Sequence, residues 1–128
     1  MNSPMAMSNP KISYVVRFYN QQGFAAEAVH SALAQDYAPM EIVLSDDLST
    51  DATFEILQTL AAEYDGPNVL KVVQNAENLG DVGHINRLVE ITTGDFIIFS
   101  DGDDIAMPQK ARRLIETWQA EGVSLVAS

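Results

Sequence analysis

The spacing of apolar positions changes period several times along the chain. Ile12–Phe18 holds Tyr14, Val15 and Val16 in a β-rich run and reads as a strand. A Gln21-Gln22-Gly23 turn follows, then residues 24–35, where Phe24, Ala28, Ala32 and Leu33 recur at helical spacing. Pro39 breaks the chain, and residues 41–45 form a second strand with Ile42, Val43 and Leu44 continuous. Ser49 or Asp51 is placed to cap a helix reaching about Tyr64, with Phe54, Leu57, Leu60 and Ala61 as its apolar face. Asp65-Gly66-Pro67-Asn68 is a turn, and residues 69–73 are a third strand. Residues 81–93 read as a third helix with Val82, Ile85, Leu88 and Val89 inward, ended by Gly94 at the C′ position. Residues 96–99 are the most apolar strand. Pro108 sits at a first helical position, and the helix running to Glu121 buries Leu114, Ile115 and Trp118. A fifth strand is expected at 124–127.

Strands alternating with helices of this length predict parallel β-α-β units. Continuous apolar strands predict an α/β, Rossmann-like, mostly parallel sheet flanked by helices on both faces. Such sheets bind ligands at the carboxyl ends of their strands. Those ends carry Arg17, Tyr19 and Asn20 after the first strand, Asp46 and Asp47 after the second, Asn75 and Asn78 after the third, and Asp101, Asp103 and Asp104 after the fourth.

Ser100-Asp101-Gly102-Asp103-Asp104 is the strongest local feature. Three carboxylates in four residues repel one another unless a cation sits between them. An Asp-x-Asp pair at a strand end can direct two side chains the same way, and Gly102 lets the backbone turn without a Cβ clash. Oxygen ligands without His or Cys suit Mg²⁺ or Mn²⁺ rather than zinc. The competing reading is a solvated acidic loop, with Asp104 capping the next helix. Asp46 and Asp47 are likewise either helix-capping loop acids or acceptors for a nucleotide base or ribose.

Composition narrows the field. The 128 residues amount to one domain, 47% hydrophobic and 20% charged, with enough chain for one core. The absence of cysteine excludes disulfides, zinc-thiolate sites and thiol nucleophiles. A net charge of -11 argues against nucleic acid and against a basic membrane-binding patch. No apolar run approaches the ~20 residues of a membrane span. Residues 1–10 lack the features of a signal peptide and read as a flexible leader, with 11–128 as the nucleotide-sugar-binding domain once the resemblance below is included.

Ile12-Ser13-Tyr14-Val15-Val16, Tyr19-Asn20 and Ala34-Gln35 together resemble the opening of the family 2 glycosyltransferases. Residues 41–51, with Ser45-Asp46-Asp47-Leu48-Ser49-Thr50-Asp51, are similar to that family's VVDDGSTD segment. Asn78-Leu79-Gly80 with Asn86 resembles its NxGxxxAxN segment, and residues 94–104, followed by Pro108 and Lys110, resemble its strand and DxD metal motif. The Ser-Asp-x-Asp-Asp-Ile form is most similar to the subgroup that builds bacterial cell-surface polysaccharides. The resemblance implies the nucleotide-binding half of a GT-A fold and a nucleotide-sugar donor, UDP- or dTDP-linked. It also implies a Mn²⁺ or Mg²⁺ ion on Asp101 and Asp103, and metal-assisted inverting transfer to a glycan acceptor. By the same resemblance Arg17, Tyr19, Asp46, Asp47, Asn86 and Asp101 are expected around the nucleotide, with Asp47 accepting from the base and Tyr19 packing on it. Arg17 can pair with Asp47 or a phosphate. Lys71 and Arg87 lie along the phosphates or on solvated surface, and His84, where the family has a small residue, is expected on the helix surface.

Arg17 and Phe18 stand where the family commonly has Pro-Thr, and Leu48 where it has Gly. The family's acceptor half and its catalytic carboxylate are expected beyond residue 128, so the catalytic base is not identified. Self-association into a homo-oligomer is expected through the 110–121 helix and the 124–127 strand, and a cytoplasmic location, peripheral at the inner membrane in a longer enzyme. Two other classes compete. A non-catalytic nucleotide-binding or interaction module would bind without turnover. A receiver-like phosphoacceptor domain would need paired acids after the first strand and a late Lys, which this chain lacks.

Overall fold

The computed structural model describes residues 9–121; the leader up to residue 8 and the fifth strand expected at 124–127 lie outside them. Eight elements alternate: β1 (Ile12–Phe18), α1 (Ala25–Leu33), β2 (Met40–Asp46), α2 (Thr53–Glu63), β3 (Val69–Gln74), α3 (Gly80–Ile91), β4 (Phe96–Asp101) and α4 (Lys110–Glu121). The strands form one parallel sheet in the order β3-β2-β1-β4. The expected α/β fold is therefore present, and the expected strands match to within one or two residues at each end.

Alternation along the strands divides the core into two layers. Ile12, Tyr14, Val16 and Phe18 of β1, with Ile42 and Leu44 of β2, pack under Ala28, Val29 and Ala32 of α1, Leu57 of α2 and Ile115 of α4. Val15 and Val43 face the other way, against Leu88 of α3. The edges of the α4 layer are closed by Trp118, whose ring meets Phe96 edge-on at 4.6 Å.

Three expected inward positions are outward. Phe24 is 57% exposed, Val82 74% and Val89 53%. On α1 the buried stripe is Ala25, Ala28, Val29 and Ala32, one residue round the helix from Phe24. On α3 it is His84 and Leu88, four residues apart on one face, so Val82 and Val89 turn away. Gly94 is not at the C′ position, because α3 ends on Thr92 in extended geometry. Gly94 is instead required by close approach, since a Cβ there would lie 2.6 Å from the Ser13 backbone nitrogen.

At the amino ends of the strands the α3 layer contains a charge. Glu41 is fully buried, and Lys71 Nζ donates to its Oε1 at 2.8 Å. The Thr93 backbone N–H donates to its Oε2 at 2.6 Å, with the Ser13 and Thr93 hydroxyls on the same oxygen. Lys71 thus serves this ion pair, at the opposite end of the sheet from the acidic loop. Burial opposes ionisation of Glu41, but the donors from Lys71, Ser13 and Thr93 outweigh it and hold the pKa at about 2.

A carboxyl with a depressed folded pKa stabilises the fold above its unfolded pKa and loses that contribution as pH falls through the folded value. The shift from 4.5 to about 2 is worth about 3 kcal/mol. Denaturant titrations should show the wild-type advantage over Glu41→Gln constant above pH ~5 and shrinking by about that amount between pH 4.5 and 2. Parallel stability curves for the two proteins would contradict the assignment.

Candidate functional site

The carboxyl ends of the strands are extended beyond the sheet by backbone hydrogen bonds from the loops. Asp47 N–H donates to Phe18 O at 2.9 Å, Asn75 N–H to Asp46 O at 2.9 Å, and Gly102 N–H to Arg17 O at 2.8 Å. These bonds hold the β1–α1, β2–α2 and β4–α4 loops at one edge. The first two loops are also stitched by side chains: Asn20 N–H donates to Ser49 Oγ, and Asn20 Oδ1 accepts from Thr50 N–H, both at 2.8 Å. Leu48 adopts φ 62°, so the turn that the family makes with Gly is retained here with a left-handed Leu.

Between these loops lies a cleft of about 330 Å³ lined by Arg17, Phe18, Tyr19, Gln21, Asp47, Asp81, His84, Asp101 and Asp103. Arg17, Tyr19, Asp47, Asp101 and Asp103, all expected at the site, are therefore brought together. Asp46 and Asn86 are not among the lining residues. Asp46 follows the strand alternation to the opposite side from Asp47; it is fully buried and accepts from Ser49 N–H at 2.8 Å and Gln74 Nε2 at 3.0 Å. Asn86 lies two residues from the inward His84 and is exposed, and Arg87 beside it is exposed and near Glu90.

Asp47 is built into the start of α3. Its Oδ1 accepts from Asn75 Nδ2 and Leu79 N–H, each at 2.8 Å, and its Oδ2 from Gly80 N–H at 3.0 Å. Burial alone would raise its pKa; the donors Leu79, Asn75 and Gly80 outweigh it and lower it. Gly80 has φ 74°, which lets consecutive backbone N–H groups turn onto the carboxylate.

His84 is buried rather than on the surface, and its Nε2 shares a 2.6 Å hydrogen bond with Ser45 Oγ. Burial, with the Arg17 charge adding to it, lowers the imidazole pKa against the pull of Asp47. The ring therefore stands neutral on the cleft floor. Its burial could be read from the sequence only through its i,i+4 spacing to Leu88. Gln35 was also not singled out, although its Oε1 accepts from Ala111 N–H at 3.0 Å and its Nε2 donates to Met107 O at 2.9 Å, which fastens the start of α4.

The acidic loop sits at the mouth of the cleft. One carboxylate oxygen each from Asp101, Asp103 and Asp104 lie within 4.8 Å of one another. Arg17 Nη2 donates to Asp101 Oδ1 at 2.6 Å, so its partner is Asp101, not Asp47. Gly102 is explained by packing: a Cβ there would lie 2.4 Å from Phe18 Cδ1 and from Gln21 Oε1. Half-buried Lys110 lies behind the loop; burial lowers its pKa, against the attraction of Asp104 and Asp101.

Asp47→Ala removes the shared acceptor of Asn75, Leu79 and Gly80. The loss should be about 2–4 kcal/mol of folding stability, because buried donors are left unpaired. Chemical denaturation measures this directly, and a loss below about 0.5 kcal/mol would show that α3 does not depend on this carboxylate.

Known proteins agree with the geometry. A profile of the family described as Glycosyl transferase family 2 matches residues 13–128. The succinoglycan biosynthesis protein ExoO of Rhizobium meliloti is 34% identical over 125 residues, covering 98% of this chain and 34% of that protein. A GalNAc(5)-diNAcBac-PP-undecaprenol beta-1,3-glucosyltransferase of Campylobacter jejuni is 32% identical over 95 residues, 74% of this chain and 30% of that protein. The crystal structure of S. aureus TarS 1-349 in complex with UDP-GlcNAc superposes with a TM-score of 0.74 at 28% identity, covering 88% of this chain and 32% of TarS. The chain spans about a third of the length of the curated relatives it matches. Among the described residues no helix is long and apolar enough to cross a membrane. With its Rossmann-like parallel sheet, its ordered motifs and a family profile covering nearly all of its length, this chain belongs to glycosyl transferase family 2.

Proposed function

We propose that this chain is the donor-binding portion of a glycosyltransferase that moves a sugar from a nucleoside-diphosphate sugar, UDP- or dTDP-linked, to a glycan acceptor. The observation that carries the reading is the cleft itself, where Arg17 and the Asp101–Asp103 pair meet at the carboxyl edge of the sheet. The relatives support it: TarS is seen with UDP-GlcNAc, and ExoO is a succinoglycan biosynthesis protein.

Each lining residue has work that matches its chemistry. Tyr19, 46% exposed beside the cleft, offers a ring face to a base. Asp47 Oδ2 takes a single hydrogen bond in the free protein and has capacity to accept an imide N–H. Asp46 closes the loop that holds Asp47 in place, and Asn86 serves the outer face of α3. Asp101 and Asp103 would hold a Mg²⁺ or Mn²⁺ ion, with Asp104 within reach; the donor set is all oxygen, and its spacing fits a hard cation. When bound, that ion neutralises charge on the departing diphosphate. The arrangement suits displacement with inversion, with the acceptor and its base supplied outside this cleft.

The test is a thermal-shift titration with UDP and dTDP in Mn²⁺, in Mg²⁺ and in excess EDTA. A nucleotide at 100 times its Kd adds about 2.7 kcal/mol, or about 10 °C for a domain of this size. Stabilisation that requires the cation is the expected result. Equal stabilisation in EDTA would remove the cation from the site, and no response to either nucleotide would remove the donor assignment.

A further inference from the structure

The Arg17–Asp101 ion pair has a consequence that the donor reading does not contain. Arg17 occupies the last odd position of β1, directly across the ladder from Asp101 on one side and Ser45 on the other. Its stem is therefore fixed by the sheet, and its guanidinium reaches an oxygen of the first carboxylate of the acidic loop. The contact is end-on through Nη2 alone, and Nε is buried without a hydrogen-bond partner. A guanidinium offers five N–H donors and binds carboxylate or phosphate best through two of them. This one is under-satisfied.

The loop's charge balance points the same way. Asp101, Asp103 and Asp104 bring three negative charges, and Arg17 in front and Lys110 behind bring two positive charges. An oxygen bonded to Nη2 at 2.6 Å is not free to coordinate a cation on that side, and a divalent ion placed beside Arg17 is repelled by it. A diphosphate reverses both effects, because its oxygens can take the guanidinium through two N–H groups and its charge offsets the ion's.

We propose that Arg17 is a resident counter-ion that competes with the divalent cation for Asp101 until a nucleoside diphosphate draws it away. Cation and nucleotide then bind with positive coupling, and Arg17 is the residue that couples them. The proposal rests on the donor reading for its second half only; competition between Arg17 and the cation is a property of the nucleotide-free protein. Coupling is reciprocal, so whatever factor UDP adds to Mn²⁺ affinity, Mn²⁺ adds to UDP affinity.

The test titrates Mn²⁺ into the nucleotide-free protein by electron paramagnetic resonance of the free ion, for wild type, Arg17→Met and Arg87→Met. Arg87 lies exposed on α3 near Glu90, so its variant makes the same change in net charge away from the cleft. Arg17→Met should bind Mn²⁺ about tenfold more tightly than wild type, the order expected from releasing a charge-assisted hydrogen bond, and Arg87→Met should stay within about twofold. Repeating the titration at saturating UDP should give a large gain for wild type and a gain several-fold smaller for Arg17→Met. Unchanged or weaker Mn²⁺ binding by nucleotide-free Arg17→Met overturns the competition, as does an equal gain in Arg87→Met. Arg17→Gln, checked for folding by circular dichroism, repeats the comparison if Arg17→Met does not fold. Should wild type fail to bind UDP under any condition, the donor reading falls, while the nucleotide-free comparison still decides whether Arg17 and the cation compete.

Discussion

The site depends on the register of the parallel ladder about β1. Because Arg17 lies opposite both Ser45 and Asp101, three strands end at the same height, and their loops leave the sheet along one edge. Side-chain alternation then decides which residues enter the cleft. Asp46 ends β2 on one side of the sheet, and Asp47, one residue later, turns to the other. A slip of one residue between β1 and β4 would part Arg17 from Asp101 and turn the acidic loop away from the cleft.

Burial of polar groups at both ends of the sheet enforces that register. At the amino edge, Glu41 collects donors from Ser13, Lys71 and Thr93, so β1, β2, β3 and the segment after α3 must all be in place for the carboxylate to be satisfied. At the carboxyl edge, Asp47 does the same for Asn75 and the start of α3. An unpaired buried acceptor or donor costs more than a paired one gains, so each cluster penalises the wrong alignment more than it rewards the right one. The cleft between the loops thus has a rigid floor, in which neutral His84 is fixed by Ser45, and a rim whose charges, Arg17 and the acidic loop, are only partly committed.

Strands, helix order and the carboxyl-edge residues were legible in the sequence because periodicity and turn residues report local structure. What escaped was set by partners distant in sequence. The burial of His84 is invisible in a helix whose valines suggest another inward face, and it follows from a hydroxyl on β2. Lys71 read as surface or phosphate contact because its partner, Glu41, sits inside an apolar strand. Gly102 and Gly94 read as turn residues, yet both are dictated by what lies against them, Phe18 and the backbone of β1. The pairing of Arg17 with Asp101 rather than Asp47 needs the strand order, with β4 and β2 on opposite sides of β1, and local pattern does not supply that.

The central claim is that one end of this sheet receives cation and nucleotide together while the other end is purely structural. Amide NMR spectra recorded with UDP and a small amount of Mn²⁺ test it directly, since the paramagnetic ion broadens nearby resonances. The account predicts strong broadening for residues 17–21, 79–84 and 101–104, and sharp signals for Glu41, Lys71 and Thr93 at the far edge. Broadening centred on the Glu41 cluster, or spread evenly over the acidic surface, would contradict it.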